Sequence, residues 1–351
     1  MLNDFSGSPN ILALVIKGLI KKGYQVELYS SSFSTGFLSN IDGVKYHEVF
    51  YKFSTNKLLT SILFVYAQVR YFLAVIKYRK KENTKIYINT ILPFGAALGA
   101  ALIKKKVIYH VHEKPVTKNL IQNIGVSIFT KFSNKSIFVS KYLLDSFDLP
   151  IDKKVLVYNS LAPEFSLTAK ENKVKRTMNY NVLMVCSLRT FKGVLIFLAL
   201  ANRLPEYSFT LVLNADGKEI TSFFNSSEIP HNLEIFETQI NLHSFYKKAN
   251  LLVNLSIPDV CVETFGLTAL EAMIYGIPVI IPPVGGIAEI VDEGVQGFKI
   301  DSRDINQLVN KVILIFSDKL LYQKMAEEAK KKSNAFSYTT MIDEIEKVIN
   351  L

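Results

Sequence analysis

The chain has 351 residues, of which 49% are hydrophobic and 12% aromatic; this excludes a disordered polypeptide and suits two hydrophobic cores better than one. Two cysteines, Cys186 and Cys261, exclude a disulfide framework and imply buried thiols in a reducing compartment. The net charge of +10 is uneven: residues 1–160 carry 22 Lys/Arg against 9 Asp/Glu, while residues 161–351 carry 19 against 22. The basic half points to an anionic partner. Nucleic acid is not expected, for there is no RNP-type aromatic motif, zinc-finger spacing or basic recognition helix, and an anionic membrane surface fits better.

The N-terminus MLNDFSGSPN is polar, so no secretory signal is expected. Residues 3–9 read as a loop feeding a helix over 11–20, which Lys21-Lys22-Gly23 ends, and 24–29 reads as a strand. A doubly wound domain places a buried strand before that helix, and only Met1-Leu2 stands there. The expectation is therefore a missing first strand, with the natural start upstream of Met1. The most membrane-like run is 58–76, interrupted by Gln68 and Arg70 and followed by Lys77, Arg79, Lys80 and Lys81. Charge at a bilayer centre is costly, so a spanning helix is not expected. A buried amphipathic helix and surface attachment to a membrane both stay open.

Short strands then alternate with helical patterns: 85–89, 94–103, 107–112, 120–132, 136–139, 141–147 and 154–158. Residues 166–180 are polar and charged with no apolar period, and read as an interdomain linker. The alternation restarts with strands at 181–186, 208–213, 233–236, 251–255 and 298–300, and helices at 193–204, 242–248, 305–316 and 319–332. This pattern predicts two doubly wound α/β domains facing a cleft, with ligands beyond the carboxyl ends of the strands.

The most informative stretch is 256–289, SIPDVCVETFGLTALEAMIYGIPVIIPPVGGIAE. After Glu263, a loop with Thr264 as cap and Gly266 for close backbone approach turns into an apolar-periodic helix over 267–274. Gly276 and Pro278 stop it, and 279–281 reads as a short buried strand. A helix start at a glycine loop is an anion site, and Glu271 is expected two turns in, a sugar ring's reach from a phosphate.

Glu263-x7-Glu271, Ala272-Met273, Gly276-x-Pro278-Val279 and Gly285-Gly286-x-x-Glu289 together resemble the retaining glycosyltransferases of family four. Their fold is GT-B, two Rossmann-like domains facing a cleft. The resemblance covers almost the whole chain and implies an acceptor-side domain over 1–165, a nucleotide-sugar domain over 166–335, and a last helix in 336–351 crossing back. Ser6-Gly7-Ser8 resembles the small-residue loop at the donor phosphates and acceptor. In Tyr109-His110-Val111-His112-Glu113, His112 matches the histidine near the transferred sugar, and Glu113 is a candidate acceptor-side aid. Phe138-Val139-Ser140 and Tyr158-Asn159-Ser160 resemble the last landmarks of the first domain. In VCSLRTFKG, Lys192 matches a diphosphate ligand; Ser187 stands at the usual Arg position and Arg189 two residues later.

The resemblance also gives Glu263 a donor-sugar hydroxyl, Glu271 the ribose hydroxyls, and Phe265, Gly266, Leu267 and Thr268 the phosphate. It implies a UDP- or GDP-linked sugar donor and a glycan or lipid-linked acceptor, with transfer in surface polysaccharide synthesis on the cytoplasmic face of a bacterial membrane. No metal is expected, since no Asp-x-Asp ends a strand and Asp301 and Asp304 are spaced differently. His110 shares a strand face with His112 by period, without a third ligand in view. A nucleotide-sugar epimerase of the same fold and an inactive nucleotide-sugar-binding subunit are the alternatives.

Overall fold

The computed structural model describes residues 3–31, 35–52, 56–114, 120–171, 178–225 and 228–351. The chain divides into two compact units, Met1–Ser160 with Tyr338–Leu351, and Leu161–Ser337.

The first unit runs α1 (Gly7–Lys21), β1 (Val26–Ser31), β2 (Val44–Val49), α2 (Lys57–Ile76), β3 (Ile86–Asn89), α3 (Phe94–Leu102), β4 (Val107–Val111), α4 (Leu120–Phe132), β5 (Lys135–Phe138), α5 (Lys141–Asp145) and β6 (Lys154–Leu156). Its strands form two separate parallel sheets, β1-β2 and β3-β4-β5-β6. α1 already includes Ser8 and Pro9, which the sequence assigned to the preceding loop. Proline is at home in a first helical turn, where its missing N–H leaves no bond unmade. Gly23 (φ +89°) ends the helix.

α2 corrects the reading of a buried helix: one stripe is buried and the other is not. Ala67, Tyr71, Ala74 and Val75 are buried, and the Gly95 N–H donates to Gln68 Oε1 at 2.8 Å. A Cβ on Gly95 would lie 2.0 Å from the Gln68 carbonyl oxygen, so α2 and α3 pack at glycine distance. On the opposite face Leu58, Ile62, Val65, Val69 and Leu73 are each at least 50% exposed. By length and composition Leu58–Lys80 could cross a membrane, and only 28% of its apolar window is buried.

The second unit runs α6 (Pro163–Glu171), β7 (Asn181–Ser187), α7 (Val194–Arg203), β8 (Ser208–Asn214), α8 (Gly217–Phe224), β9 (Leu233–Phe236), α9 (His243–Lys248), β10 (Leu251–Val253), α10 (Leu267–Ile274), β11 (Val279–Ile281), β12 (Gly297–Lys299), α11 (Ile305–Ser317) and α12 (Lys319–Ser333). Six parallel strands in the order β12-β11-β10-β7-β8-β9 make one continuous sheet. Its core is apolar on both faces, with Leu211, Val253 and Ile280 buried on one and Val212, Leu252 and Ile281 on the other, as expected where helices cover both sides of a parallel sheet. The polar run 166–180 is not a linker throughout: residues through Glu171 belong to α6, where Ala169 is buried. Residues 172–177 of that run lie outside the described residues.

The last helix, α13 (Tyr338–Asn350), belongs to the first unit and packs on α1. A Cβ on Gly18 would lie 2.7 Å from Ile342, Tyr338 donates to the Leu14 carbonyl at 3.1 Å, and Lys22 bridges Asp343 and Glu346.

Candidate active site

In the second unit the predicted donor residues converge on the carboxyl ends of β7 and β10. β7 leads through Ser187 and Arg189 to a 3₁₀ turn, Thr190–Lys192, and Gly193 in the left-handed region (φ +79°) starts α7. A Cβ there would lie 2.2 Å from the Leu255 carbonyl oxygen, so this turn presses against the segment after β10. Its effect is to aim Lys192 at Glu263. Lys192 Nζ lies 2.6 Å from Glu263 Oε1, with side-chain exposures of 19% and 18%.

Glu263 Oε1 also accepts from Ser256 Oγ (2.7 Å) and Asn254 Nδ2 (3.3 Å). Burial works to raise the Glu263 pKa, but the Lys192 charge and the three hydrogen bonds outweigh it and hold the carboxyl below its ordinary value. Burial likewise works against the Lys192 ammonium, and Glu263 more than restores it. The pair is ionised and shielded from solvent.

The backbone around this pair depends on two glycines. Gly266 (φ +90°) is the N-cap of α10, where a Cβ would lie 2.4 Å from Ile287. Gly285 (φ +93°) lies against the Glu263 backbone, where a Cβ would be 2.4 Å from its carbonyl oxygen. The G-G-x-x-E run thus forms the wall behind Glu263. Thr264 is not the cap: α10 begins at Leu267, and its N-cap offers no side-chain bond to the first-turn N–H groups. That end keeps the partial positive charge of a helix start.

Because α10 begins at Leu267, Glu271 lies just over one turn into it rather than two. The Tyr246 hydroxyl, on α9, donates to Glu271 Oε2 at 2.6 Å. Burial pushes the Glu271 pKa up to about 7, against the opposing effect of that hydrogen bond. Phe265 is buried with its ring edge toward Phe336, and Thr268 is half-buried. Arg189 is exposed and makes no side-chain hydrogen bond or ion pair among the described residues. Cys186 and Cys261 both lie near Lys192 and Glu263, and burial pushes the Cys186 thiol up to about 12, which keeps it protonated.

In the first unit Ser8, Asn89 and His112 form a chain of hydrogen bonds. Asn89 Nδ2 donates to Ser8 Oγ at 2.9 Å, and His112 Nε2 bonds Asn89 Oδ1 at 2.8 Å. His112 is 8% exposed, and burial drives its pKa down to about 3, so the imidazole is neutral. The His110 and His112 rings lie 4.1 Å apart, on one face as the strand period requires. His110 Nδ1 meets the Tyr87 hydroxyl at 2.7 Å, while its buried Nε2 has no partner. Burial also raises the Glu113 pKa. Ser6 and Gly7 are exposed at the start of α1, with Ser6 Oγ donating to Asp4 Oδ1 at 2.5 Å.

Four contributors lay outside the sequence reading: Asn89, Tyr246, Asn254 and Ser256. Asn89 and Asn254 could have been found as polar residues closing apolar strands at their carboxyl ends, where doubly wound folds bind ligands. Tyr246 gave no signal, since an aromatic in a helix reads as core.

The parallel sheets and element order of the two units are those of the GT-B architecture. Residues 166–332 match the family described as Glycosyl transferases group 1. An uncharacterized glycosyltransferase of Methanocaldococcus jannaschii is 28% identical over 278 residues, 75% of this chain and 74% of that protein. Among solved structures, Anabaena HepE in complex with UDP-glucose superposes with a TM-score of 0.76 at 19% identity, over 99% of this chain and 98% of that one. WaaG, a glycosyltransferase involved in lipopolysaccharide biosynthesis, superposes with a TM-score of 0.72 at 14% identity, over 99% and 98%.

Proposed function

We propose that the protein is a glycosyltransferase that moves a hexose-type sugar from a UDP- or GDP-linked donor to a glycan or lipid-linked acceptor, with retention at the anomeric carbon and without a metal. Its product would be a precursor of lipopolysaccharide O-antigen, capsule or exopolysaccharide. The observation that carries the reading is the shielded Lys192–Glu263 pair at the uncapped start of α10, with Glu271 one turn further on. The UDP-glucose bound to HepE and the lipopolysaccharide role of WaaG support the donor class and the polysaccharide setting.

A diphosphate entering at the start of α10 competes with Glu263 for Lys192. Glu263, still held by Ser256 and Asn254, is then free to accept from a donor-sugar hydroxyl. The N–H groups of Phe265, Gly266, Leu267 and Thr268 face the phosphate, with Arg189 as a second cation, and Glu271 accepts from the ribose hydroxyls. Positive charge at the leaving group is thereby supplied by lysine and helix end. His112, neutral and fixed by Asn89, orients the transferred sugar through hydrogen bonding rather than proton transfer. Ser6, Gly7 and Ser8 serve the phosphate and acceptor loop. The anomeric carbon's bond to the diphosphate breaks, the acceptor oxygen bonds the same face, and its proton passes to the departing phosphate oxygen.

The exposed stripe of α2 beside Lys77, Arg79, Lys80 and Lys81 supports peripheral attachment to an anionic membrane, on its cytoplasmic side. A second reading, an inactive nucleotide-sugar-binding subunit, is favoured by Ser187 at the usual Arg position and by the exposure of Arg189. Incubation with labelled nucleotide sugars and lipid-linked acceptors separates the two. Transfer with the donor's anomeric configuration kept is expected; tight binding without turnover would favour the inactive subunit, and isomerisation alone an epimerase.

A further inference from the structure

Within the first unit, a cavity of about 230 Å³ lies between the β1-β2 sheet and α2. Tyr29 and His47 form its strand wall, Arg70, Leu73 and Lys77 its helix wall, and Glu48 also lines it. Positions 70, 73 and 77 follow the helical repeat, so both cations stand on one face of α2. The strand wall is fixed. The Tyr29 and His47 rings stack 4.4 Å apart with planes 8° from parallel, and His47 Nε2 meets Glu27 Oε2 at 2.8 Å. The Tyr78 hydroxyl donates to Glu27 at 2.6 Å, and Lys81 and Lys45 lie 3.2 and 3.3 Å from it. The Tyr78 hydrogen bond, aided by the other three contacts, holds the Glu27 pKa at about 2 against burial, so the carboxylate is ionised and its acceptor sites are filled. The helix wall differs. Arg70 and Lys77 make no side-chain hydrogen bond or ion pair among the described residues, and Glu48 pairs with neither.

We propose that this cavity is a headgroup site for a membrane phospholipid, with Arg70 and Lys77 on the oxygens of its phosphodiester and its acyl chains along the exposed stripe of α2. The guanidinium fork and the ammonium are the two side-chain groups best suited to phosphate oxygens. Arg70 and Lys77 against Glu48 leave one positive charge in excess, the complement of a singly charged phosphodiester rather than of doubly charged free phosphate. Leu73 joins the cavity to the apolar surface: it lines the one and is 50% exposed on the other. From there the stripe runs back through Val69, Val65 and Ile62 to Leu58, about 22 Å of helix. α2 carries no acidic residue over Lys57–Ile76, so nothing along the stripe repels an anionic lipid. The inference rests on the peripheral attachment proposed above, and deepens it from attraction by a basic surface to recognition of one headgroup by a built cavity.

The test measures binding to vesicles of phosphatidylglycerol in phosphatidylcholine for the wild-type protein and two variants of equal charge. Arg70→Gln with Lys77→Gln empties the cavity wall of cations, whereas Arg79→Gln with Lys80→Gln removes two cations outside it. All four side chains are exposed, so neither change disturbs packing. The cavity variant should lose about 10-fold more affinity than the control variant. Equal losses would overturn the headgroup site and leave the basic-surface reading standing, while absence of wild-type binding would overturn both. Phosphorus NMR separates the sources of phosphate. The resonance of a short-chain phosphatidylglycerol, below its micelle concentration, should broaden with the wild-type protein and not with the cavity variant, and inorganic phosphate should broaden with neither. Broadening of inorganic phosphate alone, lost in the cavity variant, would make this a free-phosphate site and overturn the lipid assignment. Nucleotide binding by the cavity variant should be unchanged, which tests the donor-site reading separately.

Discussion

The Lys192–Glu263 cluster and the Asn89–His112 cluster are both buried, yet one is charged and the other neutral. In the second unit a carboxylate stays ionised out of water because a lysine and two neutral donors hold it, whereas in the first burial drives the imidazoles to give up their protons. Charge is stored where a diphosphate would leave, and an uncharged hydrogen-bonding surface where a sugar would be handled. The contrast extends to the sheets, since the second unit has one continuous sheet of six strands and the first has two plus four.

The contrast breaks most visibly at its charged end. Lys192→Ala strips the counter-ion from a shielded carboxylate, and kcat should fall by about 10²–10³-fold while stability drops by about 3 kcal/mol. Transfer kinetics and chemical denaturation read the two effects. A Lys192→Ala enzyme with unchanged kcat would remove lysine from the leaving-group chemistry.

The neutral cluster should respond differently. His112→Ala should lower kcat by about 10²-fold, and the pH profile should keep its shape between pH 5 and 9, because an imidazole with a pKa near 3 does not titrate there. An acid limb near pH 6 that disappears in the variant would show that His112 carries a proton after all.

Glu271 predicts a smaller, pH-dependent effect. Its pKa of about 7 lies above that of an unfolded carboxyl, so its contribution to stability is full below the ordinary carboxylate range and is lost as pH rises through 7. Ribose hydroxyls prefer the ionised acceptor, so donor KM should fall about 10-fold from pH 6 to 8. Glu271→Gln should flatten that slope. Tyr246→Phe, which removes the hydrogen bond opposing the upward shift, should move the inflection to higher pH. A Tyr246→Phe enzyme with the wild-type inflection would uncouple the two residues.

The smallest effect belongs to the membrane surface. Vesicles with anionic lipid should bind the protein at low salt and release it at about 0.5 M NaCl, since exposed charges are screened over a few ångströms there. Val65→Glu with Val69→Glu should weaken binding at low salt without changing donor affinity. Equal binding to neutral vesicles, or none to anionic ones, would remove the basic surface from the account.

Much of the fold could be read from the chain because its signals are local. α4, α10, β9 and β11 begin and end where apolar period and Gly/Pro punctuation place them. β2 was missed because Val44–Val49 is largely exposed and carries Lys45, His47 and Glu48, which hide a strand period. The cap of α10 was misassigned because Thr264 is a better cap by residue type than glycine, whereas the turn's positive φ and the contact with Ile287 select Gly266. Apolar content could not tell which face of α2 has a partner, since Gly95 and Gly99 make that choice from another helix. At the candidate site the motif carboxylates and lysine were legible. Their hydrogen-bond partners were not, because Asn254, Ser256 and Tyr246 act through position in the fold.

The central claim is that Lys192, Glu263 and Glu271 form a nucleotide-sugar site. Calorimetric titration of nucleoside diphosphates and their sugars, in the presence of a chelator, addresses it directly. At least one should bind the wild-type protein, and Lys192→Ala and Glu271→Gln should each weaken it by about 10-fold or more. Failure of every nucleotide to bind, or equal binding to all three proteins, would contradict the claim.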